Sequence, residues 1–195
     1  METLFVNACV RADSRTLRIA RYFLTKYGEK CGNMNWHEVR LEDENIQSLD
    51  FNALEKRNKI LSEKHFDDEM LRYARQFATA DSIVIAAPYW DMSFPSMLKN
   101  YIEAVNAIGV TFVYGEDGRP HGLCKAKKLV YITTAGGPII SENYGFGYIK
   151  GLCNVCYGIK DVSYIKAEFL DVEGANIDEI LKKSYDDADR ILRNY

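Results

Sequence analysis

Several signatures are missing from this 195-residue sequence. No Gly-x-Gly-x-x-Gly follows the first candidate strand and no Gly-x-x-x-x-Gly-Lys-Ser/Thr occurs anywhere, which excludes the dinucleotide fingerprint and the P-loop. Charge of one sign is not in excess: 25 Lys and Arg stand against 28 Asp and Glu, a net of −3. No basic face is announced, and nucleic acid is not an expected partner. The longest apolar run, 83–88, is far too short to cross a bilayer, so no membrane insertion is expected. The opening METLFVNACVRADSR has no basic leader ahead of an apolar stretch, so no secretory signal is expected. The cysteines (Cys9, Cys31, Cys124, Cys153 and Cys156) are odd in number and scattered, which suits a reducing, cytoplasmic setting better than a disulfide framework. His37, His65 and His121 define no ligand spacing, and no metal site is expected. Cys153 and Cys156 form a lone Cys-x-x-Cys in an apolar stretch and read as buried thiols rather than as redox or metal ligands.

What is present is enough apolar material, 47% of residues, to bury one core without staples, and a single domain over 1–195 is expected. Residues 3–6 read as a first buried strand, followed by a helix capped by Ser14, with Ala20, Phe23, Leu24 and Tyr27 on one face and Gly28 as its stop. Residues 36–41 give a second strand. The polar stretch 42–66 reads as a surface excursion, 67–79 as a helix, and 81–87 as a strand covered on both faces. A helix over 96–108 ends at Gly109, and an excursion over 110–124 holds a hairpin around 115–118. A fourth strand at 129–134, a helix at 148–157, a strand at 162–169 and a helix at 177–192 complete the chain.

This alternation of strand and helix predicts an α/β doubly wound sandwich: a five-stranded parallel sheet, order 2-1-3-4-5, with helices on both faces. Ligands of such sheets bind beyond the carboxyl ends of the strands. Three loops emerge there. The first brings Arg11, Ser14, Arg15 and Thr16 to a helix start, where free N–H groups and hydroxyls suit a phosphate, although Ser14 also reads as an ordinary cap. The second, Pro88-Tyr89-Trp90-Asp91-Met92, offers walls and backbone donors to a planar heteroaromatic, and equally could cap the core. The third, Thr134-Ala135-Gly136-Gly137, lets backbone approach a ligand closely, or is a plain turn.

At these residues the chain resembles the FMN-dependent azoreductase and NAD(P)H:quinone oxidoreductase family of the flavodoxin-like superfamily, over most of its length. Ser14-Arg15-Thr16 corresponds to that family's phosphate-binding Ser-x-Ser/Thr, and 88–92 to its Pro-x-Tyr-Asn-Phe-type ring turn. Leu98-Lys99-Asn100-Tyr101 and 107–112 resemble the segments that follow, and 134–137 its Ser/Thr-x-Gly-Gly turn at the pyrimidine side of the ring. The resemblance implies a flavodoxin-like fold, FMN as cofactor, NADH or NADPH as donor, and a homodimer. Its cofactor-binding residues would be Arg11, Ser14, Arg15, Thr16, Pro88, Tyr89, Trp90, Asp91, Met92, Thr134, Ala135, Gly136 and Gly137. The implied activity is ping-pong hydride transfer through the flavin to a small-molecule acceptor, a quinone, azo or nitro compound, without a side-chain nucleophile. Phe112, Tyr114, Tyr144 and Phe146 are candidates for the substrate wall, with core or interface packing as the alternative. One departure stands out: Asp91 replaces the family's ring-turn amide, and an ionised carboxylate accepts but does not donate. Two other readings remain, a flavodoxin-type electron carrier, whose usual strongly acidic surface a net charge of −3 does not supply, and a flavin-free regulatory α/β domain.

Overall fold

In a computed structural model, which describes residues 2–32 and 35–194, the expected alternation becomes a five-stranded, all-parallel sheet. Its strands are β1 (Glu2–Asn7), β2 (Asn35–Arg40), β3 (Ser82–Ala86), β6 (Lys128–Thr134) and β7 (Asp161–Ala167), in the spatial order β2-β1-β3-β6-β7. Strands β4 (Phe112–Tyr114) and β5 (Pro120–Gly122) pair only with each other, as the antiparallel hairpin expected around 115–118. With that hairpin set aside, the order is the predicted 2-1-3-4-5.

The continuous apolar runs of the central strands are divided by the two-residue period of a strand between two cores. Leu4, Val6, Ile83, Ile85, Leu129 and Tyr131 turn to one face, where Tyr73 and Phe77 of α3 (Arg72–Thr79) and Leu98, Tyr101 and Ile102 of α4 (Ser96–Val105) cover them. Phe5, Val84, Val130 and Ile132 turn to the other. There they meet Ile19, Phe23 and Leu24 of α1 (Arg15–Cys31) and Leu181, Ala188 and Leu192 of α6 (Ile177–Arg193). Each such side chain removed from water contributes about 1.5–3 kcal/mol, so β1, β3 and β6 anchor both layers at once. Among the described residues no helix is long and apolar enough to cross a membrane.

Five features differ from the sequence reading. Gly28 does not stop α1: buried Tyr27 precedes it, and the helix continues to Cys31, where Gly32, at φ 74°, donates its amide to the Gly28 carbonyl at 3.1 Å. The polar excursion contains α2 (Phe51–Ser62), started by Asp50, whose carboxylate accepts from the Ala53 amide at 2.8 Å. Only Ile60 of α2 is buried, so this helix has no apolar stripe to reveal it; its cap and helix-forming residues carry it. α4 ends at Val105 because Thr111 intervenes, its hydroxyl donating to the Val105 carbonyl at 2.9 Å and accepting from the Ala107 amide. The helix read at 148–157 is α5 (Phe146–Leu152) continued by a π-helical turn at Cys153–Tyr157, and β7 stops at Ala167, which frees 168–171 to form a loop.

That π-helical turn is where the hairpin docks. A Cβ on Gly122 would lie 2.1–2.3 Å from the backbone of Tyr157 and Gly158, so β5 reaches this close only because it ends in glycine. Cys153 is buried and Cys156 half-buried. Burial pushes both thiols up, that of Cys153 to about 12. No cluster able to hold a metal exists among the described residues. Cys153 belongs to the core on the α3 and α4 face of the sheet, and Cys156 packs against it.

Gly122→Ala should lower the unfolding free energy by about 1–3 kcal/mol, the usual scale of overpacking, read as a lower urea midpoint. Gly151→Ala, in α5 where a Cβ meets nothing within 4 Å, should instead raise it by about 0.5–1 kcal/mol.

Candidate functional site

Because β1, β3 and β6 are parallel neighbours about 4.8 Å apart, their following loops leave the same sheet edge side by side. The ladder continues past the strands and pins them: Ala8 donates to Ala86, Ala87 to Ile132, Tyr89 to Thr134 and Ala135 to Ala167, at 2.8–3.0 Å. Between the loops lies a cleft of about 260 Å³. Arg11, Ser14, Arg15, Thr16, Pro88, Tyr89, Trp90, Thr134, Ala135 and Gly136 line it, so most of the sequence candidates meet in one place. Asp91, Met92 and Gly137 stand next to the lining without joining it.

The phosphate-suited end is built by the start of α1. Ser14 is its N-cap, with Oγ accepting from the Leu17 amide at 3.2 Å. The next amides, those of Arg15 and Thr16, have no carbonyl one turn back and take no partner among the described residues. They are the helix-start donors that bind anions. The buried hydroxyl of Thr16 bonds that of Thr134 at 2.6 Å. That bond ties the first loop to the third.

The ring-suited end has a comparable division of labour. Trp90 and Ser93 exchange two backbone bonds, of 3.2 and 2.7 Å, around Asp91 and Met92, whose φ values are 49° and 66°. Two successive left-handed residues give the backbone sense of a type I′ turn, which neither side chain favours. The Trp90 amide is thus spent on the turn, and those of Asp91 and Met92 are unspent among the described residues. In the third loop the carbonyls of Ala135, Gly136 and Gly137 accept from Leu170, Asp171 and Phe169 at 2.9–3.2 Å, while the amides of both glycines take no partner among the described residues. Such strained or unsatisfied backbone, gathered at one cleft, is the condition of a ligand site.

Sequence reasoning missed the fourth loop, 168–171, which supplies Leu170 and Asp171 to the lining. The strand was read as far as Phe169, over the first half of this loop, and 170–171 were given no role; the one local signal was the change from β-branched residues to Glu168 and Asp171. Cys9 was also missed. Its buried thiol lines the cleft and approaches the Ala86 carbonyl at 3.7 Å. Burial, partly opposed by a hydrogen bond with Ser14, pushes it up to about 11, so it is a neutral thiol near pH 7.

The four wall candidates do not share this place. Phe112, nearly buried, packs edge-on to exposed Tyr114 at 5.5 Å on the hairpin, which lies between the end of α4 and the start of β6 and so at the opposite, amino edge of the sheet. Phe146 stacks on Tyr164 at 4.2 Å and 3°. Only Tyr144, exposed, borders the ring-suited turn, its carbonyl accepting from the Ser93 hydroxyl at 2.6 Å.

Comparison with known proteins agrees with this geometry. A family model described as having a flavodoxin-like fold matches residues 1–192. An FMN-dependent NADH:quinone oxidoreductase of Clostridium beijerinckii is 35% identical over 191 residues, 97% of this chain and 96% of that protein. One of Clostridium perfringens strain SM101 is 33% identical over 198 residues, covering 100% and 99%. The crystal structure of an azoreductase from Bacillus anthracis strain Sterne superposes over 100% of both chains with a TM-score of 0.86 at 23% identity, which speaks for the fold. With its whole length matched and its strand-end cleft built as described, the chain belongs to the flavodoxin-like family that includes the FMN-dependent NADH:quinone oxidoreductases.

Proposed function

We propose that this chain is an FMN-dependent NADH:quinone oxidoreductase that also reduces azo or nitro compounds. The observation that carries the reading is the pairing of unspent donors at the two ends of one cleft. The Arg15 and Thr16 amides stand at a helix start, and the Gly136 and Gly137 amides stand beside the Pro88–Trp90 wall. This is the donor set that a phosphate at one end and the electronegative edge of a flat ring at the other require. The full-length relatives, named as FMN-dependent NADH:quinone oxidoreductases, support the same cofactor, donor and acceptor.

Bound FMN supplies the redox chemistry between NADH and the acceptor. The protein's part is binding and orientation. Ser14 and the first turn of α1 hold the phosphate, assisted by Arg11 and Arg15. Pro88, Tyr89 and Trp90 wall the ring, and the amides of Asp91, Met92, Gly136 and Gly137 favour negative charge that develops along its edge. Asp91 gives no donor in place of the family's amide, so the backbone of the turn carries that role here. Thr134 and Ala135 set the height of the third loop through the Thr16 bond and the ladder to Ala167.

A homodimer fits the placement of the wall candidates. Phe112 and Tyr114 sit at the sheet edge opposite their own cleft, so a part in covering a ring calls for the hairpin of a second copy. Exposed Ile108, Tyr114, Leu123 and Val155 lie on or beside that hairpin and its docking turn, the kind of apolar surface a partner covers. Five free thiols suit a cytoplasmic setting.

The purified protein is expected to show a flavin absorption band that NADH bleaches without oxygen and that a quinone restores, with parallel-line initial-rate kinetics. A flavin band with no acceptor-dependent NADH oxidation would favour the electron-carrier reading, and a colourless protein that binds no added FMN the regulatory one. Light scattering should give twice the chain mass. Cys9 should resist iodoacetamide at pH 8, where about a thousandth of it is thiolate, should react faster as pH approaches 11, and should be shielded further by FMN. Exposed Cys31 serves as the reference that FMN leaves unchanged, with both followed by peptide mass spectrometry.

A further inference from the structure

Electron transfer through the cleft makes no demand for Asp171, yet the structure gives this carboxylate a defined seat. Its amide donates to the Gly136 carbonyl at 2.9 Å, next to the Leu170 amide bonded to Ala135 at 3.2 Å. Its Oδ2 lies 2.4 Å from the position a Cβ on Gly136 would occupy, so the carboxylate uses space that only glycine leaves. The third loop thus sets the backbone of Asp171 and leaves room for its carboxylate.

Arg15 then binds to it. Nη1 donates to Asp171 Oδ1 at 2.7 Å and to the Leu170 carbonyl at 3.0 Å. A guanidinium Nη carries two hydrogens, so this one nitrogen is fully used. Nε and Nη2 take no partner among the described residues. They form the side edge of the fork, which grips a phosphate through two parallel bonds. Both residues line the cleft beside the first turn of α1.

We infer that Asp171 is a positioning residue: it holds Arg15 by Nη1 so that the Nε/Nη2 edge is presented to the phosphate of the flavin mononucleotide. The inference rests on the cofactor reading above. Asp171 acts through Arg15 by removing, before binding, rotamer freedom that a loose arginine loses on contact. Its own charge near a phosphate is a counter-effect. It is compensated by the guanidinium at 2.7 Å, and with side-chain exposures of 36% and 61% solvent screens the remainder.

The test titrates flavin-stripped protein with FMN and with riboflavin, which lacks the phosphate, following flavin fluorescence. Asp171→Ala should weaken FMN about fivefold, the upper range for an exposed ion pair. Asp171→Asn, which keeps an oxygen acceptor for Nη1, should stay within about twofold of wild type. Riboflavin affinity should be unchanged in both, and Asp171→Ala should add nothing in an Arg15→Ala background. Tighter FMN binding by Asp171→Ala, an equal loss for riboflavin, or a full loss that persists without Arg15 would each overturn the inference. Asp171→Ser carries the same expectation as alanine if that variant does not fold. Wild-type protein that binds neither flavin removes the cofactor reading together with this one, whereas FMN binding indifferent to Asp171→Ala removes this one alone.

Discussion

The parallel pairing of β1, β3 and β6, each buried on both faces, is the constraint on which the other features depend. Their side chains alternate between two helical layers, so a shift of any one by a single residue would exchange its contributions to both cores. Register is therefore tightly held, and with it the level at which each strand ends. Val6 pairs with Ile85 and Ile85 with Tyr131, so the three loops begin within a residue or two of one another. The cleft is a geometric consequence of that alignment.

What turns the cleft into a site is the distribution of backbone donors. Where an amide has a structural task, as at Trp90 or Ala135, it is taken by the fold, and at Arg15, Thr16, Gly136 and Gly137 it has no acceptor among the described residues. The loops are braced against each other by side chains: Thr16 to Thr134, Ser93 to the Tyr144 carbonyl, and Tyr89 with Ser141 at 3.4–3.5 Å. A further brace joins the third loop to β7, where Lys166 pairs with Glu142 and Glu168 and Glu168 accepts from the Ile139 amide. Rigid neighbours of this kind allow Asp91 and Met92 to hold left-handed conformations that an isolated turn would abandon.

The additions to the basic fold have separate purposes. The hairpin β4–β5 and the π-helical turn form a unit at the amino edge, joined by the close approach at Gly122, and leave the carboxyl edge untouched. The hairpin and the strand-end cleft are thus at opposite edges of one sheet.

Read alone, the sequence determined the sheet, its order and the residues at the three strand ends. Those follow from local properties: continuous apolar runs such as 83–87, the 3.6-residue recurrence of Ala20, Phe23, Leu24 and Tyr27, and glycine pairs at turns. It did not reveal α2, whose cap and composition lack an apolar stripe, nor the end of α4, which a Thr111 hydroxyl six residues away decides. Only the tertiary structure settled that the Thr16 hydroxyl meets another loop at Thr134, and that Asp171, 156 residues from Arg15, stands beside it. Periodicity and propensity report what a segment does with its own neighbours. A site is made where segments remote in sequence compete for the same donors and the same space, and that competition is resolved only when the sheet brings them together.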